Sequence, residues 1–494
     1  MNAQTRSAII VVSRAAETLG LVAMLAVLAR WMSKETFGTY TQLQLVVTLL
    51  VTVCGLSLPS SLYYFVPKLG PGRRRELLTN TIIVAAGCGL LSAAIMVLAS
   101  DGVAALFDNP RLAAIFRMFW LYPVARMFLM LGRPFFISID RPVRGGGYLI
   151  ATIAVEAGIL IVLTVAGWPL ERTLYYLVAV ECALAIVMVA DMARLSGRGG
   201  EAPQRRRSLL LGQLAYILPV FAATVVSVLG KYFDKLLIST YFEPAEFAVY
   251  AVGAMELPVF AVVTISVFNG IMPEMVTHWE KGNSAEALRL WKGAARKCSL
   301  VVYPVFAMFL VCAQDVIILL FGAPFREATW PFVIYLLVLP VRMAVYGAFL
   351  KAIGQTRAIL IGALLAFTTN AIISFALIWL GGGGRLSFLG PSIGTAGSAY
   401  VVVVFYLRRM ARATGQPVGE VMLWSKLGKI LAVSLLCGGA VYLLPLGGLH
   451  VGVRLAVKVA VFGGAFFLVV WWGGILQEDE KRLLRRPMRA FGSR

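Results

Sequence analysis

Ionisable side chains are scarce in this chain. Charged residues make up 14% of it, against about 25% in soluble domains, which excludes a water-soluble globular body. Histidine occurs only at His278 and His450, in or near loops on opposite sides, so a histidine relay is excluded. The six cysteines, Cys54, Cys88, Cys182, Cys298, Cys312 and Cys437, all lie in or at the ends of apolar segments, and none forms a CxxC pair. Small apolar packing is their expected role, not metal ligation or disulfide formation. No P-loop, HExxH, nucleophile elbow or Rossmann fingerprint occurs in context, which argues against ATP hydrolysis and the common hydrolase and dinucleotide chemistries. No cofactor is implied. A cleavable signal peptide is not expected, because the first apolar run is too long and lacks a small-residue cleavage site. That helix is read as retained and as the insertion signal.

Apolar residues are what the chain has in abundance, at 60% with a mean hydropathy of +0.84. Runs of about 20 apolar residues, enough to cross a bilayer, recur from end to end. The expected fold is an all-α polytopic membrane protein with about fourteen transmembrane helices, at 8–32, 40–66, 78–99, 112–138, 146–167, 170–193, 209–238, 245–275, 297–321, 329–351, 357–380, 389–407, 427–446 and 453–476. The net charge of +21 is placed in alternate loops. Examples are Lys68 with Arg73–Arg75, then Arg133, Arg141 and Arg144, then Arg205–Arg207, and later Arg408, Arg409 and Arg412. This is the positive-inside pattern. It puts both termini in the cytoplasm and makes anionic membrane lipids, not nucleic acid, the partner of the charge.

The chain also repeats itself. Arg30–Tyr40 (RWMSKETFGTY) is answered by Ser239–Tyr250 (STYFEPAEFAVY), with Phe37 on Phe247 and Tyr40 on Tyr250. Phe107-Asp-Asn-Pro110 is answered by Phe321-Gly-Ala-Pro324, and Pro123-Val-Ala-Arg126-Met127 by Pro340-Val-Arg342-Met343. The first repeat starts in span 1 and the second in span 7. Each half therefore holds six helices, and an even number makes the halves parallel. The expected organisation is an N-terminal six-helix lobe at 1–194, a cytoplasmic basic linker at 195–208 and a C-terminal six-helix lobe at 209–412. Two additional transmembrane helices at 413–476 and a basic cytoplasmic tail at 477–494 complete it. The charged stretch 278–297 reads as an interfacial amphipathic helix. Gly381–Gly384 reads as a turn and Gly438-Gly439 as a close-packing patch.

Charges inside spans are costly and therefore default to functional candidates. Arg14 and Glu17 stand one turn apart on span 1. They are either a self-neutralising pair with a snorkelling arginine or the lining of a polar cavity between the lobes. Arg126 and Arg342 recur at matching places. An arginine fork suits a diphosphate, and the competing roles are capping of carbonyls freed by the adjacent prolines and snorkelling towards the cytoplasmic surface. Lys231, Asp234 and Lys235 share one region of span 7, as a basic site with a tuning carboxylate or as an interfacial charge cluster. Glu256, just before Pro258, could take up a proton or Na⁺ at a helix break. The candidate substrate-binding residues are thus Arg14, Arg126, Arg342, Lys231 and Lys235, and the candidate ion-coupling residues are Glu17, Asp234 and Glu256. Glu156 occupies the repeat position of Asn370, and Glu156 and Glu181 are read as bridging helices within their own lobe. The outward loops are short and hold single scattered acids such as Asp101, Glu171 and Glu327. A polymerase or glycosyltransferase would need a catalytic carboxylate there in a structured loop, so the chain is not read as an enzyme.

The parallel six-helix halves, the R-W-x-x-x-E-x-F-G-x-Y block and the stretch Gly55-Leu-Ser-Leu-Pro59-Ser-Ser-Leu-Tyr-Tyr-Phe65 resemble polysaccharide-transport (Wzx-type) flippases. These belong to the multidrug/oligosaccharidyl-lipid/polysaccharide (MOP) exporter superfamily. The resemblance implies two bundles that open alternately to either side of a bacterial inner membrane. It implies translocation of an undecaprenyl-diphosphate-linked oligosaccharide from the inner to the outer leaflet, with a polysaccharide polymerase and a chain-length regulator as partners. The main alternative is a proton- or sodium-coupled multidrug antiporter of the same fold, whose cavity would be net acidic, not cationic.

Overall fold

A backbone in hydrocarbon has no water to satisfy its N–H and C=O groups, so long apolar runs must close their hydrogen bonds within each segment. The computed structural model, which describes residues 3–196, 206–255 and 258–474, is accordingly helical, with no strand among the described residues. The expected tail at 477–494, most of the expected linker (197–205) and Glu256 lie outside the described residues.

Two compact units are present. The first comprises Met1–Val252 with Ser374–Pro391. Its helices are α1 (Ala3–Trp31), α2 (Lys34–Cys54), α3 (Leu58–Phe65), α4 (Pro71–Leu98), α5 (Ser100–Leu106), α6 (Pro110–Met118), α7 (Leu121–Ser138), α8 (Pro142–Val165), α9 (Leu170–Leu195), α10 (Arg206–Tyr241) and α11 (Pro244–Gly253). The second comprises Gly253–Ile373 with Ser392–Arg494. It carries α12 (Pro258–Glu280), α13 (Ser284–Phe321), α14 (Thr329–Leu336), α15 (Leu339–Arg342), α16 (Tyr346–Ala352), most of α17 (Thr356–Leu380) and α18 (Arg385–Thr414), α19 (Trp424–Tyr442) and α20 (Val451–Trp472).

Nine of the described helices are long and apolar enough to cross a bilayer, or eleven spans if each of two bent pairs counts as one. The helices α1, α10 and α12, of 29, 36 and 23 residues, also exceed the ~30 Å hydrocarbon thickness at ~1.5 Å per residue. This is consistent with the fourteen spans expected. The protein is a multi-pass membrane protein.

Both copies of the repeated block fold alike. Ser33 caps α2 by accepting a hydrogen bond from the Thr36 amide at 3.2 Å, and the amides of Phe37 and Phe247 close the same first turn on Ser33 and Glu243 at 2.9 Å. Phe37, Tyr40, Phe247 and Tyr250 are all buried. The two copies also meet within the first unit. A Cβ on Gly38 would lie 1.9 Å from the Pro244 carbonyl oxygen, so only glycine permits this approach. Beside it, Gln42 Nε2 donates to Ser239 Oγ at 2.9 Å.

The second repeated element is a bend in each unit. Pro110–Met118 and Leu121–Ser138 meet at 62°, and Ala323–Leu336 and Leu339–Ala352 at 41°. Pro123 and Pro340 sit in the first turn after each bend, where a missing N–H costs no helix hydrogen bond.

Several expected elements differ. The span read at 245–275 is two helices, α11 and α12, and the spans read at 112–138 and 329–351 are the bent pairs above. The span read at 40–66 is broken: α2 stops at Cys54, and Leu56 and Ser57 adopt left-handed φ values of 47° and 55° before α3. Gly55 and Pro59 flank the break, and non-glycine left-handed residues cost about 1–2 kcal/mol each. Of the stretch read as an interfacial helix at 278–297, residues 278–280 end α12 and 284–297 open the 38-residue α13. Asn283 caps it through the Glu286 amide at 3.1 Å, and fully buried Trp291 fastens it to the unit. The glycine turn is present, with Gly382 and Gly383 at positive φ. Gly438 packs on α13, where a Cβ would lie 3.5 Å from the Ala307 carbonyl oxygen.

Candidate substrate and ion site

The bend before α7 sets Arg126 one turn beyond Pro123. Tyr122 and Arg126 are four residues apart and share a helix face. Arg126 Nη2 donates to the Tyr122 hydroxyl at 2.8 Å. The same nitrogen lies 2.7 Å from Glu156 Oε2 on α8 and 2.9 Å from Glu181 Oε1 on α9. From α2, Gln44 Nε2 donates to the hydroxyls of Tyr122 at 2.7 Å and Tyr40 at 3.0 Å. It also stands 3.5 Å from Glu156 Oε1, at the limit of hydrogen bonding. Tyr40 belongs to the repeated block, so that block ends directly on this network.

One guanidinium faces two carboxylates. Glu181 is fully buried and Glu156 nearly so, while the Arg126 side chain keeps 24% of its surface exposed. Fully ionised, the trio carries one uncompensated negative charge, and unpaired charge away from water is costly. One proton or monovalent cation would neutralise it. Hydrogen bonding is also incomplete, since Glu181 Oε1 meets Arg126 only as an ion pair and neither Glu181 Oε2 nor Arg126 Nε has a hydrogen-bond partner among the described residues.

Arg126 opens onto a cavity of about 250 Å³ inside the first unit. Arg126, Arg133, Gln44, Thr48, Thr52 and Thr152 supply most of its polar lining, and Val47, Leu129 and Met188 are among its apolar walls. At ~30 Å³ per water the space holds about eight waters. A phosphate group or a single sugar fits within that volume.

The remaining candidates are dispersed. Asp234 is buried and accepts a hydrogen bond from the Tyr250 hydroxyl at 3.1 Å, so the second repeated tyrosine, like Tyr40, ends on a polar partner. Lys231 and Lys235 instead flank the Tyr232 ring, at 5.5 and 5.6 Å from its centroid. Arg342 closes the short helix α15 and is exposed, unlike its repeat mate Arg126. Glu17 lies half-buried on α1, and the side chain of Arg14 lies outside the described residues. Asn370, the repeat mate of Glu156, donates to Thr395 Oγ1 at 3.3 Å. The five cysteines other than half-buried Cys182 are buried, and all six are free thiols. No group of three or more potential metal ligands occurs among the described residues.

Sequence reasoning missed three participants. Arg133 had been assigned to a basic loop, and Gln44 and Tyr122 carried no separate signal. A second ionic trio, Asp315 of α13 with Arg454 and Lys458 of α20, was legible in part, because both cations interrupt an apolar span four residues apart.

Residues 27–329 match the family described as polysaccharide biosynthesis protein. No curated protein sequence matches the chain. Among solved structures, the lipid II flippase MurJ in an inward closed conformation is similar at a TM-score of 0.72 and 13% identity, covering 96% of this chain and 100% of that one. An inward-facing multidrug resistance MATE family transporter of the MOP superfamily is similar at 0.61 and 13% identity, covering 81% and 95%. Its outward-facing counterpart is similar at 0.53 and 13% identity, covering 83% and 95%. At these identities the likeness is one of fold, shared with the flippase and MATE transporter structures.

Proposed function

The chain belongs to the polysaccharide biosynthesis protein family, and from that footing we propose that it is a flippase for an undecaprenyl-diphosphate-linked oligosaccharide. Its setting is a bacterial inner membrane with both termini cytoplasmic, and its cycle is alternating access from the inner to the outer leaflet. The observation that carries this reading, beside the family, is a membrane-embedded arginine that is partly exposed to a polar cavity. A diphosphate cannot enter hydrocarbon without replacement of its hydration, and an arginine fork supplies two charge-assisted donors. Arg126 and Arg133, both on the cavity wall, are proposed to receive the anionic headgroup, and Arg342 to serve the other half of the cycle. Lys231 and Lys235 remain proposed contributors of positive charge.

A second reading, a proton- or sodium-coupled antiporter, is favoured by the excess carboxylate beside Arg126. The two readings combine if ion uptake by Glu156 and Glu181 releases Arg126 to the anion. In cells, Arg126→Lys with Arg342→Lys keeps the charge but loses the fork. That variant should lower surface polysaccharide and leave lipid-linked units in the inner leaflet. Normal surface polysaccharide in the double variant, at normal protein level, overturns the arginine assignment. Glycan lengthening by the purified protein overturns the transporter reading.

A further inference from the structure

We propose that Asp315, Arg454 and Lys458 form a site for the phosphate headgroup of an anionic phospholipid, distinct from the Arg126 cluster. Arg454 and Lys458 lie one turn apart on α20 and grip the two oxygens of one carboxylate. Arg454 Nε is 2.8 Å from Asp315 Oδ1, and Lys458 Nζ is 2.7 Å from Oδ2. Asp315 is 4% exposed, whereas the Arg454 and Lys458 side chains keep 21% and 13% of their surface. Neither α19 nor α20 contains an acidic residue, so the trio keeps one surplus positive charge. Arginine has five N–H donors and lysine three, and a single carboxylate occupies only some of them. Neither cation is fully buried, so the remaining donors are open to a further acceptor.

A monoanionic phosphodiester matches this surplus in charge and donor demand. The surroundings point to a lipid as its source. Val453 and Val459, next in sequence to the two cations, are 51% and 40% exposed and offer apolar surface to acyl chains. Arg454 also stands in the first turn of α20, where the helix dipole adds positive potential. Attachment of the helix pair does not depend on the trio alone. Cys437 and Val441 of α19 and Phe462 of α20 pack with Ala307 of α13 in a buried apolar cluster.

The test is native mass spectrometry of the full chain released from micelles containing phosphatidylglycerol or phosphatidylcholine. Lys458→Met and Arg454→Gln each leave Asp315 with one cation, so neither strands a buried charge. Each should retain one fewer phosphatidylglycerol at a given concentration, through binding about tenfold weaker at that site. Arg454→Lys should stay within about threefold of the unsubstituted chain, and phosphatidylcholine retention should not change. A thermal melt of each variant establishes that it is folded. Unchanged phosphatidylglycerol retention in both folded variants overturns the site. Displacement of the lipid by equimolar inorganic phosphate overturns the lipid as its ligand.

Discussion

Removing the guanidinium of Arg126 tests the candidate site most directly. Arg126→Ala deletes the counter-charge of Glu156 and Glu181, which approach it at 2.7 and 2.9 Å from two other helices. Breaking a buried ion pair by removing one partner costs about 3–5 kcal/mol, a large share of a typical total stability of about 5–15 kcal/mol. At about 2–4 °C per kcal/mol for units of 150–250 residues, the melting midpoint should fall by about 6–20 °C. Neutralising all three groups removes the stranded charge as well as the pair. The triple variant Arg126→Met, Glu156→Gln, Glu181→Gln should therefore melt within about 4 °C of the unsubstituted chain, because the three effects are strongly non-additive. The assay is thermal unfolding of purified protein in one detergent. An Arg126→Ala midpoint within about 2 °C of the unsubstituted chain, or three losses that simply add, would refute the interacting-cluster argument. The triple variant also separates fold from transport. If it is folded but makes no surface polysaccharide, the cluster is functional; if export is normal, it is structural.

Two further outcomes follow from the packing. Gly38→Ala places a methyl group 1.9 Å from the Pro244 carbonyl oxygen, a backbone atom that cannot rotate away. It should cost about 1–3 kcal/mol in the same melt, while Gly102→Ala, which meets nothing within 4 Å, should not destabilise. Of the six free thiols only Cys182 is not fully buried, so a membrane-permeant maleimide should modify it first in the folded protein. A Cys182→Ser chain that labels as fast as the parent would contradict that burial pattern.

What was legible in the sequence is what local chemistry fixes. The Phe37/Phe247 and Tyr40/Tyr250 pairs announced equal helix starts because a cap and an inward aromatic are set within one turn. Pro123 and Pro340 were read only as freeing backbone carbonyls, and the bends just before them were not read, since both spans were expected to be continuous. The break at Leu56-Ser57 was not legible as an element boundary, because nothing in those side chains demands the left-handed region they occupy. The Arg126 cluster was half legible. A charge in a span flags each member, yet its partners lie on separate helices, and sequence spacing says nothing about which faces of different helices meet. Asp315 shows the same limit, standing 139 residues from Arg454.

The two ionic trios have opposite surpluses, and this bears on what each can hold. One cation with two carboxylates leaves the first unit short by one positive charge at Arg126. Two cations with one carboxylate leave the second unit one in excess at Asp315. A charge kept from water must be cancelled by a group that can be present at that depth. At Arg126 the neighbouring space is a polar cavity of about 250 Å³, which admits a small hydrated ion, so cancellation there can be reversible. Beside Arg454 and Lys458 in sequence, Val453 and Val459 are exposed, and the anion proposed there brings its own acyl chains. Under the proposed function the first trio therefore suits a step repeated in every cycle, and as the proposed lipid site the second suits a standing attachment to the membrane.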